Sequence, residues 1–126
     1  MGFIYTVLTA IILSLGVGSV PYAEIESAFE TNDSDKIVAL GKTKVLINIL
    51  GKEGVYSRPQ ASLVLKDFFT RKPGNSFNFF FKGKESADGT FAIGSYVSRG
   101  ESFRVTIHFK KLDGHFKIES LTIEKA

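Results

Sequence analysis

The spacing of the apolar residues changes at Gly74, and this change constrains the fold more than any other feature of the chain. Before it, the stretch YSRPQASLVLKDFF places its apolar side chains on one wide helical stripe. Ser57 is a suitable N-cap and Pro59 falls in the first turn, where a missing N–H costs nothing. The pattern predicts a helix over residues 57–72. The stripe consists of Ala61, Val64, Leu65, Phe68 and Phe69.

After Gly74 the apolar residues recur at every second position, which is the spacing of half-buried strands. We predict four strands here, joined by short connections, with Asp113-Gly114 as a tight hairpin turn. Beyond Ile118 the apolar positions switch parity, which predicts a bulge near Glu119-Ser120. The side chains expected to point inward are Phe77, Phe79 and Phe81, then Phe91, Ile93, Ser95 and Val97, then Phe103, Val105, Ile107 and Phe109, and finally Phe116 and Ile118.

Two short helices and one strand are expected before the long helix. Apolar residues on one face predict a helix over residues 24–30, and a second helix follows with Asp33 or Ser34 as its cap. The β-branched stretch KVLINIL predicts one strand over residues 45–50, and GKEG is interpreted as a turn. The order of elements predicts an α+β fold with helices packed on one face of a strongly curved, mostly antiparallel sheet. We expect residues 24–126 to form a single domain.

The first 23 residues carry no charged side chain, and residues 3–15 are almost continuously apolar. Small residues follow this run, so we predict a secretory signal peptide cleaved after Ser19 or after Ala23, with an uncleaved anchor as the alternative. No Lys or Arg precedes the run, which is unusual for an exported protein. We expect an extracytoplasmic location, in the periplasm or secreted, with membrane contact only if residues 1–23 are retained.

The chain resembles an uncharacterised family of secreted proteins from Bacteroidetes-type bacteria, domain of unknown function 4783. The resemblance is carried by KEGVYSRPQASLVLKDFF, SFNFFFKG, FAIGSYVS and SFRVTIHFKKLDGHFKIESLTIEK, and it covers nearly all of the chain after the apolar segment. That family is similar in organisation to nuclear transport factor two-like (cystatin-like) domains, in which helices lie across a bent sheet to form a cone. The resemblance implies this fold and a signal peptide. It implies no activity and no functional residues.

The composition excludes several kinds of site. The chain has no cysteine, which excludes disulfides, thiolate metal sites and cysteine nucleophiles. His108 is expected to face outward and His115 to lie beside the hairpin turn, so neither is assigned a catalytic role. The sequence GKT at 41–43 lacks the glycine that a phosphate-binding loop needs at position 36. We therefore assign no catalytic residue, no metal site and no cofactor. The net charge of +3 is too small to indicate nucleic-acid binding.

Two surfaces remain as candidates for binding. The inward side chains either fill the core or line a pocket for a small apolar molecule, and we assign Phe79, Phe91 and Ser95 to that pocket with Tyr56 at its rim. The outward face combines aromatic and basic groups, which suits a homodimer interface. A solvated face and a binding site for a polyanion are its alternatives. The residues assigned to the interface are Phe80, Tyr96, Arg104 and His108.

These expectations predict an exported, non-enzymatic domain that binds a small molecule or a protein. The first alternative is a small isomerase- or hydrolase-like enzyme that uses a pocket inside the cone. The second alternative is a dimeric structural or accessory protein of a cell-surface complex.

Overall fold

A computed structural model describes residues 19–126 and contains three helices and six strands in this range. The helices are α1 (Tyr22–Glu30), α2 (Ser34–Ala39) and α3 (Arg58–Arg71). The strands are β1 (Gly41–Ile49), β2 (Lys52–Ser57), β3 (Ser76–Lys82), β4 (Gly89–Ser98), β5 (Glu101–Leu112) and β6 (His115–Lys125).

The six strands form one sheet in the order β2-β1-β6-β5-β4-β3. Only the β1–β6 pair is parallel, and the other four neighbouring pairs are antiparallel. Apolar side chains of the helices join those of one sheet face in a single core. We call this the concave face and the opposite one the outer face. The predicted fold class, α+β with helices on one face of a mostly antiparallel sheet, is confirmed.

The local turn and bulge signals are also confirmed. Asp113 and Gly114 have φ angles of 52° and 78°, the left-handed values that a tight two-residue hairpin requires. Between β5 and β6, His108 pairs with Ser120 and Phe109 pairs with Ile118, so Glu119 is an extra residue. This bulge moves Leu121 and Ile123 to the concave face and bends the sheet.

The sequence patterns did not predict one of the strands. Residues 52–57 form the edge strand β2, whereas GKEG was predicted to be a turn. The actual turn is shorter than predicted. Leu50 and Gly51, with φ angles of 53° and 92°, make this turn alone. The segment KEGVYS lacks the alternation of a half-buried strand, because its concave-side residues Lys52, Gly54 and Tyr56 are not buried in the closed core.

The predicted orientation of β4 is wrong. Tyr96, assigned to the outer face, has an exposed fraction of 0%, whereas Phe91, assigned inward, is 37% exposed. Ser95 also lies on the outer face, because it pairs directly with the outward Arg104. The concave face needs a small residue at one position of this strand, because a Cβ atom at Gly94 would lie 2.5 Å from Cζ of Phe77. The larger Phe91 and Ile93 therefore occupy the outer face, opposite to the orientation that alternation predicts.

Phe81 is likewise on the outer face and not inward as predicted. Phe79 pairs with Gly94 and Phe81 pairs with Ile93, so Phe80 is an inserted residue in β3. The bulge changes the parity of the strand after Phe79, as bulges do. The ring of Phe81 consequently lies 5.3 Å from the ring of Phe91, between centroids.

Six aromatic side chains form the centre of the core, and we call them the aromatic cluster. They connect α1 and α3 to β3, β4 and β5 through ring contacts of 4.5 to 6.3 Å between centroids. The Tyr96 hydroxyl donates to the Lys72 carbonyl at 2.7 Å and accepts from Nδ2 of Asn32 at 3.1 Å. This hydroxyl therefore links the end of α3 to the turn after α1. The cluster consists of Phe29, Phe68, Phe69, Phe77, Tyr96 and Phe103.

The packed domain includes residues before the predicted boundary at residue 24. Val20 is buried, and the Tyr22 ring packs edge-on against Phe79 at 5.0 Å. Of the two predicted cleavage positions, the one after Ser19 retains both side chains and the one after Ala23 removes them. Residues 1–18 of the predicted signal peptide lie outside the described residues. Within residues 19–126, no helix is long and apolar enough to cross a membrane.

We expect Tyr96→Phe to lower the free energy of unfolding by about 0.5–1.5 kcal/mol, because the partly buried Lys72 carbonyl loses its donor. Urea unfolding at neutral pH measures this loss. Tyr56→Phe is the control and should lose less, since the Tyr56 hydroxyl lies in a cavity that is open to water. Equal losses would contradict a structural role for the Tyr96 hydroxyl.

The same variant should change the response to alkaline pH. Burial raises the pKa of Tyr96 above its usual 10.0, although its hydrogen bonds with Asn32 and the Gly74 backbone act in the opposite direction. The stability linked to this proton is complete below pH 10.0 and is lost as the pH rises through the folded-state pKa. Unfolding curves at about pH 9 and about pH 11 should show a larger loss in the native protein than in Tyr96→Phe. If the native protein and Tyr96→Phe lose the same stability between these two pH values, the Tyr96 hydroxyl does not contribute to the pH dependence.

Candidate functional site

A cavity of about 360 Å³ lies between α3 and the β2 edge of the concave face. Strands β1 and β2 supply one wall, and one side of α3 supplies the other. The lining residues are Ile49, Lys52, Tyr56, Leu63, Val64, Asp67 and Arg71.

The register between β1 and β2 places three residues of β2 on the concave face. Residues directly opposite each other in an antiparallel pair share a face, and Lys52, Gly54 and Tyr56 pair with the buried Ile49, Ile47 and Val45. A Cβ atom at Gly54 would lie only 2.6 Å from the Tyr56 hydroxyl oxygen. The Tyr56 ring therefore lies along the strand over Gly54, and it forms an aromatic surface in the cavity.

The α3 wall combines apolar and charged side chains. Leu63 is exposed and Val64 is half-buried, so the helix presents an apolar surface that is accessible from solvent. Arg71 lies one turn after Asp67, and its Nη2 is 2.9 Å from Asp67 Oδ2 while its Nε donates to the same oxygen at 3.1 Å. Asp67 is thus occupied by a neighbour on its own helix.

The predicted pocket residues are not brought together. Tyr56 lines the cavity at the β2 edge, but Phe79 lies on β3, which is the opposite edge of the sheet. Phe79 packs there against Tyr22 and Phe77, at 5.0 Å from each ring. Phe91 and Ser95 are on the outer face, so the prediction that they line an inward pocket is wrong. The error follows from the reversed orientation of β4.

The outer face differs from its prediction in one of the four assigned residues. Arg104 and His108 face outward as expected, and Phe80 is exposed. Tyr96 is enclosed in the core, so it cannot contact a partner, and its assignment to the interface is wrong.

Several exposed apolar residues of the outer face were missed. The Phe91 ring lies between Phe81 and His108, with centroid distances of 5.3 Å and 5.5 Å. Pairing continues from His108 to Ser120, from Ser120 to Leu46, and from Leu46 to Val55. This outer row crosses all six strands. It was not predicted, because β2 and the β3 bulge were not recognised. The outer row consists of Val55, Leu46, Ser120, His108, Phe91 and Phe81.

Side chains of the kinds that bind metal ions do not cluster within residues 19–126. No group of three or more His, Asp or Glu residues in this range could hold a metal ion. Ser62 donates to Asp35 and lies 3.1 Å from Ser34, a contact that ties α2 to α3. Both histidines are on β5 and β6, away from these serines in the fold.

A second cavity, of about 390 Å³, lies on the other side of the domain. It is bounded by residues 19–24, Leu40 and residues 115–117, so it adjoins the point where the described residues begin.

The family model "Domain of unknown function (DUF4783)" matches residues 22–124. The chain belongs to the DUF4783 family. A DUF4783 protein of Bacteroides ovatus has a solved structure that is 25% identical, with a TM-score of 0.79, covering 86% of this chain and 97% of its own. No curated protein matches the chain.

More distant solved structures share the fold. An NTF-2 like protein of unknown function from Silicibacter pomeroyi is 12% identical, with a TM-score of 0.62, and the match covers 99% of this chain and 98% of that one. A domain of unknown function with a cystatin-like fold from Nostoc punctiforme is also 12% identical, with a TM-score of 0.65, covering 82% of this chain and 72% of that one. The predicted family and the predicted nuclear transport factor two-like fold are both confirmed.

Two Gly→Ala variants of this DUF4783 protein test whether Tyr56 lines an open cavity. Gly54→Ala should cost little stability, because the end of the Tyr56 side chain can move away from the new Cβ atom into the cavity. Gly74→Ala should cost about 1–3 kcal/mol, since its Cβ would lie 2.2 Å from the Val97 backbone oxygen. Urea unfolding compares the two. Equal losses would mean that the Tyr56 ring is held as tightly as backbone.

Proposed function

We propose that this DUF4783 protein is an exported, non-enzymatic binding module that holds a small molecule in the cavity between α3 and β2. One observation carries the proposal: a cavity of about 360 Å³ with aromatic and aliphatic walls and a few charged groups at its edge. Sites for small molecules have volumes of roughly 300–1,000 Å³ and this mixture of walls. Export is proposed from the uncharged segment of residues 1–23, with its apolar run over residues 3–15.

A binding role accounts for the cavity better than catalysis does. A general acid or base works best when its surroundings shift its pKa towards the working pH. Burial raises the pKa values of Tyr22 and Tyr96, and the hydrogen bond from Lys72 lowers the pKa of Glu101. None of the three lines this cavity. The Asp67 carboxylate does line it, but Arg71 already binds that carboxylate.

Native mass spectrometry of the protein recovered from its own host tests this function. We expect the native protein to carry the added mass of one small molecule of about a dozen non-hydrogen atoms, the size that a cavity of about 360 Å³ holds. Val64→Trp should abolish this added mass, because the larger side chain fills the cavity. Lys66→Trp is the matched control on an exposed position of α3 outside the lining, and it should keep the ligand. A native protein without added mass, or a ligand that survives Val64→Trp, would contradict the proposal.

The outer row supports a second candidate function, a homodimer that joins two outer faces. One end of the row is aliphatic, with Leu46 and Val55, and the other end is aromatic, with Phe81 and Phe91. Val55 is 64% exposed and Phe81 is 44% exposed, so both ends lack a covering element within the described residues. A two-fold axis perpendicular to the row would place the aliphatic end of one copy on the aromatic end of the other, which uses the same patch on both copies.

Replacing both Phe81 and Phe91 by Glu should convert this dimer into a folded monomer, because it would bury two carboxylates per copy. Sedimentation equilibrium measures the mass in solution. Leu112→Glu is the control, since Leu112 is an exposed apolar residue at the β5 end outside the row. The interface is ruled out if the native protein has the mass of one chain, or if the double variant remains a dimer.

A further inference from the structure

We infer that the cavity between α3 and β2 takes a small amphipathic anion, with an apolar body and one carboxylate that pairs with Lys52. This inference rests on the proposed function and specifies the ligand of the same site.

Lys52 is placed to meet a ligand from the concave side of the sheet. It pairs with the buried Ile49 at the end of β1, so its side chain leaves β2 on the cavity side. The salt bridges within residues 19–126 use Lys42, Arg71, Lys72, Arg104 and Lys125, and none uses Lys52. Its ammonium group is therefore available to a ligand.

The charges around the cavity favour a ligand with a single negative charge. Three ionisable groups with a charge at neutral pH line it, namely Lys52, Asp67 and Arg71, which sum to +1. Asp67 and Arg71 neutralise each other through the contact at 2.9 Å. The unbalanced charge is the ammonium of Lys52, and a carboxylate would balance it. A ligand cation would instead add to this charge.

The remaining walls suit an apolar body next to that charge. Ile49, Val64 and the Tyr56 ring offer apolar surface, and the Tyr56 hydroxyl lies over Gly54, on the Lys52 side of the ring. This hydroxyl is a second donor for the same carboxylate. A volume of about 360 Å³ equals roughly twelve water molecules at about 30 Å³ each, which limits the ligand to about a dozen non-hydrogen atoms.

Calorimetric titration with three eight-carbon probes tests the inference: octanoate, uncharged octanamide and octylammonium. The native protein should bind octanoate most tightly and octylammonium most weakly. Lys52→Gln should weaken octanoate binding about 1.4-fold to fivefold, which is the range for a solvent-exposed charge pair, and leave octanamide binding unchanged. Lys110→Gln removes the same charge from the outer face and should change neither affinity.

Equal affinity for octanoate and octanamide, or an octanoate affinity that Lys52→Gln does not change, would overturn the inference. Failure of all three probes to bind would also overturn it. In each case native mass spectrometry of the native protein and of Val64→Trp tests the proposed function independently of these probes. If the bound ligand identified by that measurement has no negative charge, the protein is a binding module but its ligand is not an anion.

Discussion

The aromatic cluster of six side chains determines where this domain is closed and where it is open. It fills the concave face beneath β3, β4 and β5, and the Tyr96 hydroxyl fixes the end of α3 above it. Towards the other edge, β1 still contributes Val45, Ile47 and Ile49, but β2 contributes only Lys52, Gly54 and Tyr56 to this face. These three residues cannot fill the space under α3. The cavity is therefore a consequence of where the large apolar residues stop.

The same packing explains the apolar outer face. The Phe77 ring lies so close to β4 that a Cβ atom at Gly94 would be 2.5 Å from it, and the neighbouring concave position holds only Ala92. Because side chains alternate along a strand, the larger Phe91 and Ile93 must then face outward. The β3 bulge adds Phe81 beside them. The crowded interior thus accounts for Phe91 in the outer row, and the β3 bulge accounts for Phe81.

Much of the fold could be predicted because its signals are local. The stripe of α3, the Asp113-Gly114 hairpin and the bulge at Glu119 each depend on residues close in the chain. The orientation of β4 could not be predicted from its own residues, since both of its faces are apolar and distant rings decide which face is crowded. Of the predicted pocket residues, only Tyr56 lies in the cavity. The others were assigned from alternation in β3 and β4, whereas the cavity lies at β2, an edge strand with no alternation to reveal it.

One experiment can test whether a ligand occupies the cavity beside Tyr56, because the three described tyrosines lie in different surroundings. Tyr56 lines this cavity, Tyr22 lines the second one, and Tyr96 lies in the closed core. We would titrate protein carrying ¹³C-labelled tyrosine with octanoate and follow the ring signals by NMR. If the ligand binds beside Tyr56, the Tyr56 signal moves with added octanoate while the Tyr22 and Tyr96 signals stay in place. Movement of Tyr22 with a stationary Tyr56 would place the ligand in the second cavity and exclude binding beside Tyr56.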